Sequence, residues 1–387
     1  MITFSRASFL NWDTEMARLF GFIFLFAAIF GLLPAVYAQL DKEFVLSDEQ
    51  WEVLEPTVER GVGFLVRSQR ADGSFSAPTV GQPGITSLCC IAMLSAGAAP
   101  NGEHSDTLVK AIDFVLDTQQ PDGLFSYRVP GQSYRPNNAV HAALYNHAMA
   151  GLLLTEVYGM TSAEQQKRIS LAIPKAINLT RQMQINGKRR DLDRGGWKYL
   201  RRSPHTRADS DLSVTDWQLM FLRSAKNAEF EVPEEFASDA VEYVKRCFDN
   251  GQKEFLYGIR ERNRYTSRGV VGAGIFALAL GGDHDNEMAK QAADRLLQQP
   301  FRYNVLLTPY EQYHYTIYHC SQAMYQLGDP YWGKFYPNLL KMLAENQLAD
   351  GAWAPSRGWD HYGKPYTTAL TVLALTPPYQ VLPIYQR

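Results

Sequence analysis

Apolar positions recur along the chain with a helical period, in twelve stretches of two alternating kinds. Six are amphipathic, at 58–68, 108–118, 173–183, 237–248, 287–297 and 335–346. Each is followed by a stretch that is apolar on nearly every side, at 85–96, 138–157, 212–226, 270–280, 310–326 and 366–375. An amphipathic helix hides one stripe, whereas a helix apolar all round must be covered all round. The alternation therefore predicts helical hairpins with their first helices toward solvent and their second helices inside.

A short motif recurs between the two helices of a pair. Gln69, Asp72, Gly73 and Phe75 are matched at identical spacing by Gln119, Asp122, Gly123 and Phe125, and by Gln347, Asp350, Gly351 and Trp353. Looser copies are Gln182 with Gly195, Gly196 and Trp197, then Asn250, Gly251 and Phe255, then Gln298 and Gln299 with a loop lacking glycine. Asp-Gly supplies a positive-φ turn that stops the first helix. The glutamine is expected to cover that helix's last free carbonyls, and the aromatic ring to pack over the turn. One such unit cannot bury its apolar helix, but stacked units can. Closing six of them predicts an all-α fold, an α6/α6 toroid with outer and inner helix layers. An open solenoid is the structural alternative, and it would need polar end caps that the sequence does not show. Residues 377–387, with Pro377, Pro378 and Pro383 forbidding helix, are expected to run along the outside as an extended tail.

The apolar stretch at 19–33, followed by small residues up to Ala38, has the form of a signal peptide, so residues 1–38 are expected to be removed and 39–387 to form one toroid domain. Asp13 and Glu15 are out of place in a basic n-region, so the true start is expected at Met16. An uncleaved anchor is the alternative, for which the run is slightly short. Either way the domain is expected outside the cytoplasm, in the periplasm or cell envelope, with membrane association possible. With Lys+Arg at 38 and Asp+Glu at 40, no global field favours nucleic acid. Cys89, Cys90, Cys247 and Cys320 contain no C-x-x-C pair and are expected to be buried thiols without metal or disulfide framework.

The Gln-x-x-Asp-Gly-x-aromatic copies resemble the QW repeats of squalene-hopene cyclases, over nearly all of the chain after residue 38. The same toroid is known in protein prenyltransferases and the complement thioester domain. Through Gly195-Gly196-Trp197, the run from Asp211 to Gln218 and the closing 382–387, the chain is most similar to exported bacterial proteins with prenyltransferase/squalene-oxidase repeats. The resemblance implies a cavity for an apolar, isoprenoid-like small molecule or lipid, no cofactor, and, as one of two functions, a proton-initiated cyclase. Asp209-Ser210-Asp211-Leu212 resembles the Asp-x-Asp-Asp acid motif of class II terpene cyclases, which implies Asp211 as acid and Asp209 as its support. Leu212 stands where the last aspartate should be. Read from position alone, Asp211 is a helix N-cap.

Cavity-lining candidates are Asp216 and Trp217 on the same helix, and Tyr313, His314, Tyr315 and Tyr318 on the fifth inner helix, whose rings could face a cation or simply fill space. Arg260, Arg262, Arg264 and Arg268 are loosely similar to the diphosphate-binding segment of prenyltransferase β subunits. The zinc-binding Asp-x-Cys of that family is missing, as is the thioester Gly-Cys-Gly-Glu-Gln segment. His141 and His147 read as packed side chains. The two functions that remain are a cyclase-like isomerase and a binding toroid without catalysis, with a polysaccharide-active enzyme third, lacking a visible carboxylate pair.

Overall fold

The computed structural model describes residues 45–259, 265–299, 301–356 and 362–386. Among them twelve α-helices alternate between two layers. The outer helices are α1 (Asp48–Arg67), α3 (Ser105–Asp117), α5 (Ala163–Ile185), α7 (Glu234–Arg246), α9 (Glu287–Leu297) and α11 (Tyr331–Glu345). The inner helices are α2 (Gly84–Ser95), α4 (Ala139–Glu156), α6 (Leu212–Asn227), α8 (Arg268–Leu280), α10 (Tyr313–Leu327) and α12 (Lys364–Leu375). On α9 the buried residues are Ala289, Ala292, Ala293 and Leu296, a single stripe at helical spacing. On α2 and α8 every residue is buried. Each inner helix packs on the next, and α12 returns to α2 while α11 packs on α1, so the ring is closed and the solenoid alternative is excluded. The chain from Leu46 onward forms one compact unit. The expected signal segment lies outside the described residues.

Five of the outer helices start earlier than their patterns indicate, α1 and α5 by ten residues, and Pro56, Pro174 and Pro337 lie inside α1, α5 and α11. Pro56 and Pro174 are on the exposed face, where the carbonyl a proline leaves unbonded can meet water. The true start of α1 is a capping box between Ser47 and Gln50.

The joints differ from expectation in one respect. Gln69 Nε2 donates to its own turn at Gly73 O (3.0 Å) and to Thr107 O (2.8 Å) on the next outer helix, so the glutamine stitches neighbouring units together and does not cap its own helix. Gln119 does the same with Gly123 O and Ala172 O. In the third joint the stitch is Gln184, not Gln182, which reaches Gly195 O (2.8 Å) and Phe236 O (2.9 Å). A Cβ on Gly73, Gly123, Gly195 or Gly351 would meet a carbonyl of the next outer helix at 2.0–2.6 Å. Glycine is needed there both for positive φ and for this close approach. The fourth joint is built differently, as a hairpin of β1 (Phe248–Asp249) and β2 (Glu254–Phe255) with Lys253 carrying the positive φ.

The closing tail is not extended along the outside. Proline does exclude α-helix from 377–386, but two short 3₁₀ turns fold the segment onto the ring, where Leu382, Ile384 and Tyr385 are buried. Tyr385 OH lies 2.9 Å from Tyr318 OH, and Gln326 Nε2 donates to Tyr385 O. The tail thus covers the end of the ring where the inner helices terminate.

Candidate functional site

At the opposite end lies a cavity of about 650 Å³. It is walled by the first turns of all six inner helices, through Ile85, His141, Ser213, Val270, Tyr315 and Tyr366 among others, and by the loops that lead into them, through Tyr199, Tyr257, Tyr265, Tyr310 and Tyr362. The placement follows from topology. Every inner helix begins where its joint loop ends, so six helix N-termini converge on one space, and their partial positive ends face it.

The wall is rich in hydroxyls and poor in charge. Among its described residues there is no Asp, Glu, Lys or Arg. Burial holds the His141 imidazole below its usual range, and burial followed by the nearby Asp211 pushes the Tyr145 and Tyr257 hydroxyls well above theirs. Tyr315 is raised likewise by burial, then by Asp216. These phenols remain neutral donors at any ordinary pH. Ile85, Leu88, Met149, Val270 and Trp217 supply apolar surface between them.

Asp211 does not face this space. It is the N-cap of α6: its Oδ1 accepts from Val214 N (2.9 Å) and Ser213 Oγ (3.2 Å), and its Oδ2 accepts from Tyr257 OH (2.8 Å) and lies 3.3 Å from Lys198 Nζ. Both carboxylate oxygens are taken by donors, and Asp211 is linked to the cavity only through the wall residues Ser213 and Tyr257 that bond to it. Asp209 is farther away in role as well as place. Arg189 grips it through Nη2 (2.6 Å), Nε (3.0 Å) and its own backbone N–H (2.7 Å). Burial would raise the Asp209 carboxyl, but the Arg189 fork outweighs it and brings the carboxyl below its usual range. The pairing of Asp209 as support for an Asp211 acid is therefore replaced by two separate structural clamps.

The remaining candidates separate along the inner helices. Trp217 and Tyr315 are on the cavity wall. Asp216 is buried behind them and bridges α6 to α10, its Oδ2 lying 2.8 Å from His319 Nε2. His319 Nδ1 lies 3.0 Å from Tyr315 O, so the imidazole stands between Asp216 and the backbone of a wall residue. Burial raises the Asp216 carboxyl, with His319 opposing it. Tyr313 and His314 face away from the cavity, Tyr313 against Tyr303 and Met342 Sδ. Tyr318 is at the tail end of the ring, bonded to Tyr385. A helix of the inner layer touches both outer layer and cavity, and only one side of α10 near its start reaches the ligand space.

His147 takes the place that Thr86, Thr215 and Thr368 hold in other units, accepting at Nδ1 from the backbone N–H of the joint aromatic, Phe125 (3.2 Å). Burial brings its pKa down to about 4, so it is a neutral structural side chain. Arg268 is buried in an ion pair with Glu311 (2.6 Å) and is not a phosphate ligand; Arg260, Arg262 and Arg264 lie outside the described residues. All four cysteines are free and buried. Among the described residues no cluster of three His, Cys, Asp or Glu side chains could hold a metal, and no helix is long and apolar enough to cross a membrane.

Tyr310 and Tyr315 lie in the aromatic stretch singled out from the sequence, and the other tyrosines of the wall were missed. Five of these, Tyr199, Tyr257, Tyr265, Tyr362 and Tyr366, sit on loops or on the first turn of α12, and the signal that would have found them is positional: any residue entering an inner helix faces the same end of the ring.

No protein-family profile and no curated protein sequence matches the chain. Solved structures do. An aspartate-to-asparagine variant of the type II terpene cyclase MstE from Scytonema, in complex with geranylgeranyl dihydroxybenzoate, superposes with a TM-score of 0.56 at 14% identity, covering 87% of this chain and 100% of that one. An alpha-amylase from Clostridium perfringens gives 0.53 at 12% identity, covering 84% and 98%. A glycosidase variant in complex with glucose gives 0.56 at 10%, covering 88% and 100%. At these identities the likeness establishes the α/α toroid, a fold shared by cyclases and glycosidases.

Proposed function

We propose that the protein is a ligand-binding toroid whose cavity takes the neutral, isoprenoid-like part of a small molecule, and that Asp211 is not a proton donor. The observation that carries this reading is the wall itself: apolar and phenolic groups face inward while Asp211 stands behind Tyr257 and Ser213 and is bonded only to donors. A glycosidase reading would need two carboxyls on either side of a bond, and none is among the described wall residues. The volume is in the range of small-molecule sites, where apolar walls bury the ligand and a few hydroxyls orient it. The MstE complex, with its geranylgeranyl group, supports this class of ligand by fold analogy. Export of the chain, inferred from residues 1–38, would place the encounter outside the cytoplasm; amino-terminal sequencing of the secreted protein checks it.

The test is calorimetric titration of the chain with farnesol and geranylgeraniol, with cello-oligosaccharides alongside, and incubation with squalene and polyprenols followed by product analysis. Saturable binding of the alcohols, weakened by Tyr315→Leu, with no cyclised product from wild type or Asp211→Asn, is expected. Cyclised product that Asp211→Asn abolishes would restore the acid, and binding of the oligosaccharide alone would replace the ligand class.

A further inference from the structure

A second space of about 640 Å³ lies against the first, and Tyr199 belongs to the walls of both. Its character is opposite. The lining includes Lys188, Lys198, Arg201 and Arg202 with a single carboxylate, Asp209, and the neutral polar groups of Gln132, Ser133, Asn186 and Ser203. The charges do not cancel. Asp209 is already held by Arg189, which is not part of the lining, and Arg202 Nε stands off from it at 3.8 Å. Lys198 is matched by Asp211. Arg201 donates only to the neighbouring Leu200 O (3.3 Å) and has no carboxylate partner among the described residues. Lys188 Nζ reaches three backbone carbonyls, the nearest Gly196 O at 2.9 Å, and no carboxylate. The cleft thus carries more cations than carboxylates, with Lys188, Arg201 and Arg202 in excess over the one lining carboxylate. Burial brings the Lys188 ammonium down to about 8, with Asp209 and Asp193 opposing the shift and Arg202 adding to it.

We propose that this cleft is an anion subsite for the head of the same ligand, so that the protein recognises a phosphorylated or diphosphorylated isoprenoid with its chain in the neutral cavity and its phosphate among Lys188, Arg201 and Arg202. The inference rests on the proposed reading of the cavity and extends it from a neutral molecule to an amphiphile. Arginine forks and a lysine point charge suit phosphate oxygens. The two spaces meet at Tyr199, whose OH is 3.0 Å from Tyr257 OH and on whose ring Tyr134 stacks at 4.8 Å, so a chain-to-head junction would pass along a phenolic edge.

Calorimetric titration of the full chain with farnesol, farnesyl monophosphate, farnesyl diphosphate and inorganic pyrophosphate tests it. The phosphorylated compounds are expected to bind at least about tenfold more tightly than farnesol, with an advantage that shrinks as salt is raised. Arg201→Glu, on an exposed side chain that holds no other element in place, should remove that advantage and leave farnesol unchanged; Lys188→Met should act in the same direction if it folds. Equal affinity for farnesol and its phosphates, or an advantage that Arg201→Glu leaves intact, overturns the anion subsite while the cavity reading stands. Failure of farnesol and of both phosphates to bind overturns the cavity reading and this inference with it. Pyrophosphate binding as tightly as farnesyl diphosphate overturns the shared-ligand proposal and leaves a free-phosphate site.

Discussion

Gln347 Nε2 donates to Thr57 O at 2.9 Å, from the last outer helix's joint to the first outer helix, and so joins the two ends of a ring that are 290 positions apart in sequence. The same amide reaches Gly351 O at 2.8 Å, as its counterparts do in the first three joints. Gln347→Ala is expected to lower unfolding free energy by about 1–2 kcal/mol, the range for one or two net hydrogen bonds. Gln69→Ala, in an interior joint, should cost the same if the ring unfolds as one unit. Denaturant titration of both variants decides; a silent Gln347→Ala would mean that closure does not depend on this stitch.

Gly73 combines φ of +86° with a virtual Cβ 2.3 Å from Lys110 O, whereas Gly97 has φ of +97° and open space around it. Gly97→Ala is expected to cost about 1–2 kcal/mol for the left-handed backbone alone. Gly73→Ala should cost clearly more, because the neighbouring helix must also retreat. Equal losses in thermal unfolding would rule out close approach as the reason for the glycine.

Lys198 Nζ and Asp211 Oδ2, 3.3 Å apart, are both buried, so taking away one partner strands the other. Asp211→Asn keeps an acceptor for Val214 N–H but removes the charge, and a loss of about 3 kcal/mol is expected. Adding Lys198→Met should recover a large part of it. A double-mutant cycle with no coupling would contradict the clamp.

Glu156 Oε1 accepts from Ser224 Oγ (2.5 Å) beside the buried tail, and burial raises its carboxyl from 4.5 to about 7, with Ser224 and the Ile384 N–H opposing. Between those two pH values the unfolded chain has lost this proton while the folded chain keeps it. The Glu156 contribution is therefore full below pH 4.5, declines as pH rises toward 7 and is gone above it, a change of roughly 3 kcal/mol at most. Glu156→Gln should remove this decline, so the variant gains on the wild type from pH 5 to pH 8. Denaturant midpoints at the two pH values, giving the same difference at both, would show that Glu156 is ionised in the fold.

The joints were legible because their residues act locally. Asp72, Asp122 and Asp350 each turn the backbone through an N–H two residues on, and glycine follows because the turn demands it. Even so, the third glutamine was read two positions early, since Gln182 and Gln184 share a helix and only the position of Phe236 O selects between them. The tail was misplaced for a similar reason: proline excludes helix, but nothing local says which surface Leu382, Ile384 and Tyr385 will cover.

What the sequence by itself determined is the ring, through apolar periodicity that leaves six helices with no uncovered face and motifs that repeat at identical spacing. What only the tertiary structure decided is the chemistry of its interior. Whether an aspartate caps a helix, clamps an arginine or meets a ligand depends on which groups from distant segments arrive beside it. Tyr257 and Lys198 reach Asp211 from two other loops, and they turn a motif that resembles an acid into a buried structural pair.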